Sequence, residues 1–311
     1  MANTPTLPPP LQPGDTLAIV ATARKVKPEE IQPCIDYYTA KGFKIILGEH
    51  LYNEHFQFAD TDTERASDLQ LMVDNPQVKA IICARGGYGT VRIIDKLNFD
   101  NYIQNPKWLI GFSDITIIHN HIHNLGSASV HGPMALNYTQ NTESNFYIAQ
   151  QNLEDIYHIL IGQKISYTFP NHLYNKTGEA QGFLVGGNLS VLYSMSNTLT
   201  DINTDGKILF IEDLDEYLYH LDRMVQWLDR SGKLSNLKAL IIGEMGQMKN
   251  LDPANPFGQT AEEIIYHTAK KYNYPICFGF PAGHGKVNAP FVLGAEVKIS
   301  IGNEETIFEM V

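Results

Sequence analysis

The sequence is short of cysteine, of basic residues and of long apolar runs, and each shortage removes a class of protein. Its three cysteines, Cys34, Cys83 and Cys277, are far apart, odd in number and set among apolar neighbours. They read as small core residues of a reduced compartment, not as a disulfide framework. Lys and Arg total 23 against 34 Asp and Glu, and the formal charge of -11 argues against general binding of nucleic acid or of an anionic membrane, both of which need a basic face. No apolar run is long enough to span a bilayer. The opening Met-Ala-Asn-Thr-Pro-Thr-Leu-Pro-Pro-Pro lacks the basic and apolar regions of a signal peptide and reads as an extended lead-in. A cytoplasmic protein is expected. Also missing are a Gly-Lys-[Ser/Thr] phosphate loop, a Gly-x-Gly-x-x-Gly turn and a His-Glu-x-x-His metal helix.

What remains is ample for a packed core: 311 residues, 43% hydrophobic and 18% charged, enough for two domains of moderate size. Apolar runs of strand length at 16–21, 43–47, 78–84, 108–110 and 128–131 alternate with helical patterns. One such helix carries Ile31, Cys34, Ile35 and Tyr38 on one face. Thr61-Asp62-Thr63-Glu64 reads as a capping box opening a second, and a third is predicted near Thr90 with Val91, Ile94 and Leu97 inward. This alternation predicts an N-terminal parallel sheet flanked by helices. At 167–178 the pattern lapses, so residues 1–166 are expected to form the first domain, 167–178 a linker and 179–311 a smaller, β-rich second domain. The tail alternates over 295–301 and 306–309 as a terminal hairpin.

Chemistry is expected where strands end, because ligands of such sheets sit outside the strands' carboxyl ends. Gly111-Phe112-Ser113-Asp114 is a tight strand-to-helix turn with a hydroxyl at its tip, followed by Ile115, Ile118 and Ile122 at helical spacing. The turn suits either a nucleophile or an ordinary N-cap. Arg85-Gly86-Gly87-Tyr88-Gly89 ends another strand and offers unhindered N–H groups, for an oxyanion or, alternatively, as an anion cradle. His284 stands between two glycines in a Pro-containing loop, and Glu212 ends a strand at Ile211-Glu212-Asp213. Gly186-Gly187-Asn188 implies a close backbone approach. His119, His121 and His123 read as a helix surface that happens to carry histidines, rather than as a metal site.

Taken together and in order, these motifs resemble the LD-carboxypeptidase family of serine peptidases, which includes muropeptide carboxypeptidases and microcin-C self-immunity peptidases. The matching residues are Arg85-Gly86-Gly87-Tyr88-Gly89, Gly111-Phe112-Ser113-Asp114, Ile211-Glu212-Asp213, Gly283-His284, Gly186-Gly187-Asn188-Leu189 and Leu221-Asp222-Arg223. The resemblance implies an α/β fold with the active site between an N-terminal and a C-terminal domain. It implies a Ser113, Glu212 and His284 triad, with oxyanion donors on Gly87 and Asp114, and no metal or other cofactor. Its implied substrate is a murein tetrapeptide cleaved before its terminal D-Ala, or alternatively a peptidyl-nucleotide, and the protein is expected to be a homodimer. Arg85, Gly86 and Asn188 are candidate substrate contacts. One departure is Ala21-Thr22-Ala23-Arg24 after the first strand, where the resemblance leads one to expect Pro-Ser. A non-catalytic two-domain binding protein and a generic esterase are the rival readings.

Overall fold

The computed structural model describes residues 5–311. The first four residues of the expected lead-in lie outside them, and residues 5–15 carry no helix or regular strand. The chain divides into two units, the first made of residues up to Gln163 with Asn288–Gly294, the second of Lys164–Val287 with Ala295–Val311.

The first unit is built on β1 (Thr16–Val20), β2 (Lys44–Leu47), β3 (Val78–Cys83), β4 (Trp108–Gly111) and β5 (Ser129–His131), with α1 (Pro28–Ala40), α2 (Asp62–Asp74), α3 (Asp100–Gln104), α4 (Thr116–Asn124) and α5 (Gln150–Leu160). These strands lie in the order β5-β4-β3-β1-β2 and are all parallel. Parallel strands covered on both faces need apolar residues throughout, not in alternation. Leu17 to Val20, Ala80 to Cys83 and Trp108 to Ile110 supply them, each at most 4% exposed. On α1, Pro28 opens the helix and Ile31, Cys34 and Tyr38 form its buried face.

Two local expectations fail here. Thr61 is the N-cap of α2 but makes no side-chain cap hydrogen bond. Asp62, within the supposed box, instead accepts from the Arg92 guanidinium at 2.9 Å and from Arg65. The helix predicted near Thr90 is two separate 3-10 turns, Thr90–Arg92 and Ile94–Lys96, and Val91 is exposed. Ile93, at φ -113°, separates the two turns, and the Thr90 N–H is held by the Asp114 carboxylate at 2.9 Å.

The second unit contains β6 (Ser166–Pro170), β7 (Gly178–Asn188), β8 (Ile208–Leu214), β9 (Ala239–Gly246) and β10 (Ile276–Cys277), with α6 (Leu189–Ser194), α7 (Leu218–Arg230) and α8 (Ala261–Ala269). Tyr167 and Phe169, read above as part of a linker, are in β6. The chain then re-enters the first unit as β11 (Phe291–Leu293), which pairs antiparallel with β5. It returns to close the second unit with the hairpin β12 (Glu296–Ile301) and β13 (Glu305–Met310). The second sheet runs β10-β9-β8-β7-β12-β13-β6. Its β10 to β7 half is parallel and the rest antiparallel.

The expected close approach at Gly186 is present. Its φ is +134°, and a Cβ there would lie 1.8 Å from the Phe210 carbonyl oxygen of β8. Only glycine lets β7 reach that position. On α7, Leu218, Leu221, Met224, Val225 and Leu228 are buried, the stripe a one-sided helix requires. Among the described residues no helix is long and apolar enough to cross a membrane.

Candidate functional site

In the first unit, β4 ends at Gly111, Phe112 stays extended, and Ser113 turns into a left-handed conformation with φ 61°. That conformation costs a serine about 1–2 kcal/mol, so the surroundings must hold it. The Gly111 carbonyl oxygen accepts from the Gly132 N–H at 3.0 Å and lies 2.8 Å from His119 Nε2. Phe112 is buried, and its carbonyl accepts from the Ile115 N–H at 3.2 Å. The result is a partly exposed serine at the start of a 3-10 turn that leads into α4. A strained strand-to-helix turn of this kind suits a nucleophile.

The glycine loop after β3 reaches this turn. A Cβ on Gly86 would lie 3.4 Å from Ser113 Cβ and 3.6 Å from the Asp114 nitrogen. Gly87 follows with φ +106° and is exposed, so its peptide adopts a course that L-residues rarely take. The Asp114 side chain turns away and is buried. Its carboxylate bonds the Thr90 N–H, so it ties the β3 and β4 loops together. Burial raises the Asp114 pKa, against the lowering effect of Thr90, Arg65 and the Gly89 N–H. Arg85, on the same loop, is half-buried. Its Nη1 donates to the Lys25 carbonyl at 3.3 Å, and its guanidinium lies 5.0 Å above the Phe146 ring.

The second unit holds the other candidates. Glu212, inside β8, is fully buried, and its Oε2 lies 2.7 Å from His284 Nδ1. A carboxylate only accepts hydrogen bonds, so Nδ1 donates. That fixes the tautomer and puts the lone pair of the neutral ring on Nε2. Oε1 of Glu212 has no hydrogen-bond partner among the described residues. Burial pulls the His284 pKa down, but the charge and hydrogen bond of Glu212, with the charges of Asp213 and Glu244, outweigh it and the pKa is raised.

Next to Glu212, burial and the Glu212 charge push Asp213 up to about 7, although Leu214 N–H and Asn188 oppose the shift. Asn188 is itself buried. Its Nδ2 donates to Asp213 at 3.0 Å, and its Oδ1 caps α6 by accepting from the Val191 N–H at 3.1 Å. It braces the β7 and β8 ends.

Glu244 was not singled out in the sequence. Its N–H donates to the Ala282 carbonyl at 2.9 Å. A Cβ on Gly283 would lie 3.0 Å from Glu244 Cβ, so Glu244 packs against the His284 loop. The signal was available, since Ile242-Gly243-Glu244 ends an apolar run with an acid, as Phe210-Ile211-Glu212 does.

The histidine-bearing face of α4 is not the surface it was expected to be. His119 and His123 are buried. A carbonyl oxygen can only accept, so His119 Nε2 donates to Gly111, and Nδ1 accepts from the Ser129 hydroxyl at 2.7 Å. His121 is half-buried, its ring 4.9 Å from Phe99. Among the described residues no cluster of three or more His, Cys, Asp or Glu is placed to hold a metal ion.

With this geometry in hand, comparison with known proteins gives a consistent answer. Residues 17–132 match the model of the LD-carboxypeptidase N-terminal domain, and residues 181–299 that of the LD-carboxypeptidase C-terminal domain. A probable murein peptide carboxypeptidase of Bacillus subtilis is 31% identical over 306 residues, covering 96% of this chain and 93% of that protein. The crystal structure of a muramoyltetrapeptide carboxypeptidase from Oxalobacter formigenes superposes with a TM-score of 0.85 at 27% identity, covering 95% of this chain and 98% of that one. The microcin C7 self immunity protein MccF shares the fold, with a TM-score of 0.85 at 21% identity over 99% of this chain and 98% of that one.

Proposed function

The chain belongs to the LD-carboxypeptidase family and is a serine-type carboxypeptidase, and from that premise we propose that it hydrolyses the L,D peptide bond before a terminal D-Ala of murein tetrapeptides. The observation that carries the mechanism is the 2.7 Å bond between buried Glu212 and His284 Nδ1, which readies Nε2 as a base. In this reaction His284 takes the Ser113 proton as Oγ attacks the terminal peptide carbonyl. Glu212 stabilises the imidazolium that forms. The N–H groups of Gly87 and Asp114 hold the tetrahedral oxyanion, a contribution worth about 100- to 1000-fold in rate per donor. His284 then protonates the departing D-Ala amine, and water releases the acyl group from Ser113. The names of the relatives support the substrate class.

Ser113→Ala and His284→Ala should each lower kcat on a purified tetrapeptide by roughly 10⁴- to 10⁶-fold. Turnover near that of the native enzyme in either variant would overturn the triad. A matched peptide ending in L-Ala should be cleaved far more slowly than the D-Ala peptide.

A second reading rests on one feature. Tyr217 and Tyr219 are both exposed and their rings stack, 5.7 Å apart and within 20° of parallel. Such a pair is a platform for a nucleobase. MccF is described in complex with aspartyl sulfamoyl adenosine, and a peptidyl-nucleotide would use the platform here. Faster release from an aminoacyl-sulfamoyl nucleoside than from the tetrapeptide, lost in Tyr219→Ala, would favour that substrate.

A further inference from the structure

We propose that Arg24, assisted by Arg85, binds the free carboxylate of the substrate's C-terminal residue and so makes the enzyme select chain ends. The inference rests on the hydrolase reading above and names the group that reading leaves unbound. Arg24 follows β1, the Arg85 to Gly87 loop follows β3, and Ser113 follows β4. These three strands are neighbours in one parallel sheet, so the three loops emerge side by side from their carboxyl ends.

The contacts make the placement specific. A Cβ on Gly87 would lie 2.7 Å from Arg24 Cδ and 2.8 Å from its Nε, so the Arg24 stem lies against the peptide assigned to the oxyanion. Gly86, the other residue of that peptide, abuts Ser113. In a C-terminal substrate only the amide nitrogen and one Cα separate the scissile carbonyl from the carboxylate. The carboxylate therefore falls within about 5 Å of the oxyanion. A carboxylate binder has to stand next to the oxyanion donors, and Arg24 does.

Charge supports the same assignment. Arg24 is exposed, and among the described residues its side chain makes no hydrogen bond or ion pair. Arg85 is tied to the Lys25 carbonyl, next in sequence to Arg24, and also lacks an ion pair among these residues. Glu30, the acid whose charge it feels, is bonded to the Lys27 N–H at 2.7 Å. Burial and the neighbouring charge of Arg24 lower the Arg85 pKa, with Glu30 opposing them, so the two guanidiniums repel each other. Elsewhere in the unit Arg65 and Arg92 share the Asp62 carboxylate. Two guanidiniums without an ion-pair partner among the described residues, in a chain of charge -11, form a site for a carboxylate, which an arginine fork matches in shape as well as charge.

The test compares a tetrapeptide ending in D-Ala with its C-terminal amide. In the native enzyme the acid should be the better substrate. Arg24→Gln should lower kcat/KM for the acid by about 10- to 100-fold, the effect of one hydrogen bond between charged groups, and reduce the acid-to-amide ratio by the same factor. Arg24→Lys should recover part of the ratio. Equal losses on both peptides would mean that Arg24 serves the oxyanion or the loop, and would overturn the proposal. Calorimetric binding of both peptides to Ser113→Ala, with and without Arg24→Gln, reads the site without catalysis. If the native enzyme cleaves neither peptide, the hydrolase reading falls. An acid preference in binding that disappears with Arg24 would still establish the carboxylate site, and equal affinities for acid and amide would refute it.

Discussion

Glu212 decides which nitrogen of His284 can take a proton, and its charge also decides at what pH. Burial alone would lower the imidazole pKa. The carboxylate of Glu212, reinforced by Asp213 and Glu244, reverses the sign, so His284 titrates above its ordinary 6.5. General-base attack in the proposed mechanism needs the neutral ring. The acid limb of kcat/KM should therefore lie above pH 6.5, with activity rising as His284 loses its proton. Glu212→Gln removes the leading opposing influence and leaves burial dominant. The limb should move to lower pH while kcat falls roughly 10³- to 10⁴-fold, as expected when a triad acid is lost. Glu244 is exposed to water, which screens its charge, so Glu244→Gln should move the limb in the same direction but by less. A pH–rate profile of the three proteins checks this, and a limb that stays in place in Glu212→Gln would show that another group titrates there.

At the scale of the element, the turn from β4 into α4 depends on His119. Burial holds its pKa at about 4 against an ordinary 6.5, so the folded protein resists a proton that the unfolded chain accepts. This contribution to stability is fully present above pH 6.5 and is lost as pH falls toward 4, about 3 kcal/mol in all. His119→Leu should cost about 2–4 kcal/mol at pH 7.5, because the Gly111 carbonyl and the Ser129 hydroxyl each lose a buried partner. The variant should also lose less stability than the native protein between pH 6.5 and 4.5. Urea unfolding across that range checks this, and parallel declines would exclude His119 as the titrating group. The elbow itself was legible in the sequence, because Trp108 to Ile110, Gly111 and the Ile115, Ile118, Ile122 spacing are local signals. The role of His119 was not. An imidazole reads as polar until its partners are known, and these come from the ends of β4 and β5. The Asp114 hold on the Thr90 N–H, 24 residues away, was hidden from the sequence in the same way. His284 stood out because a Gly-His-Gly loop is marked in the local sequence, and Glu212 because an apolar run ends at it, although β8 itself continues to Leu214. Glu244 carried the same apolar-run signal, whereas Arg24 gains its meaning only from the loop it touches.

At the scale of the whole molecule, the chain order of the units is not a simple succession. Phe291-Val292-Leu293 lies near the C-terminus, between β10 and the final hairpin, and nothing in a three-residue apolar run says which sheet it joins. Pairing decides it. Phe291 stands opposite His131 in the β11–β5 register, is fully buried, and stacks on the His131 ring at 4.7 Å and 6°. The strand therefore covers an edge of β5 that would otherwise present unpaired backbone groups. A division of the chain at a single linker, as the sequence suggests, would leave that edge bare. Phe291→Ala should cost about 3–5 kcal/mol, as for other buried aromatic truncations, and the loss should appear in the first unit although the residue lies beyond nearly all of the second. Hydrogen exchange on the full chain distinguishes the cases. Amides of β4 and β5 should exchange faster in the variant, while those of β7 to β9 keep their native protection. Faster exchange in β7, β8 and β12 with β5 unchanged would mean that the segment 288–294 belongs energetically with the second unit, and the single-linker division would then stand.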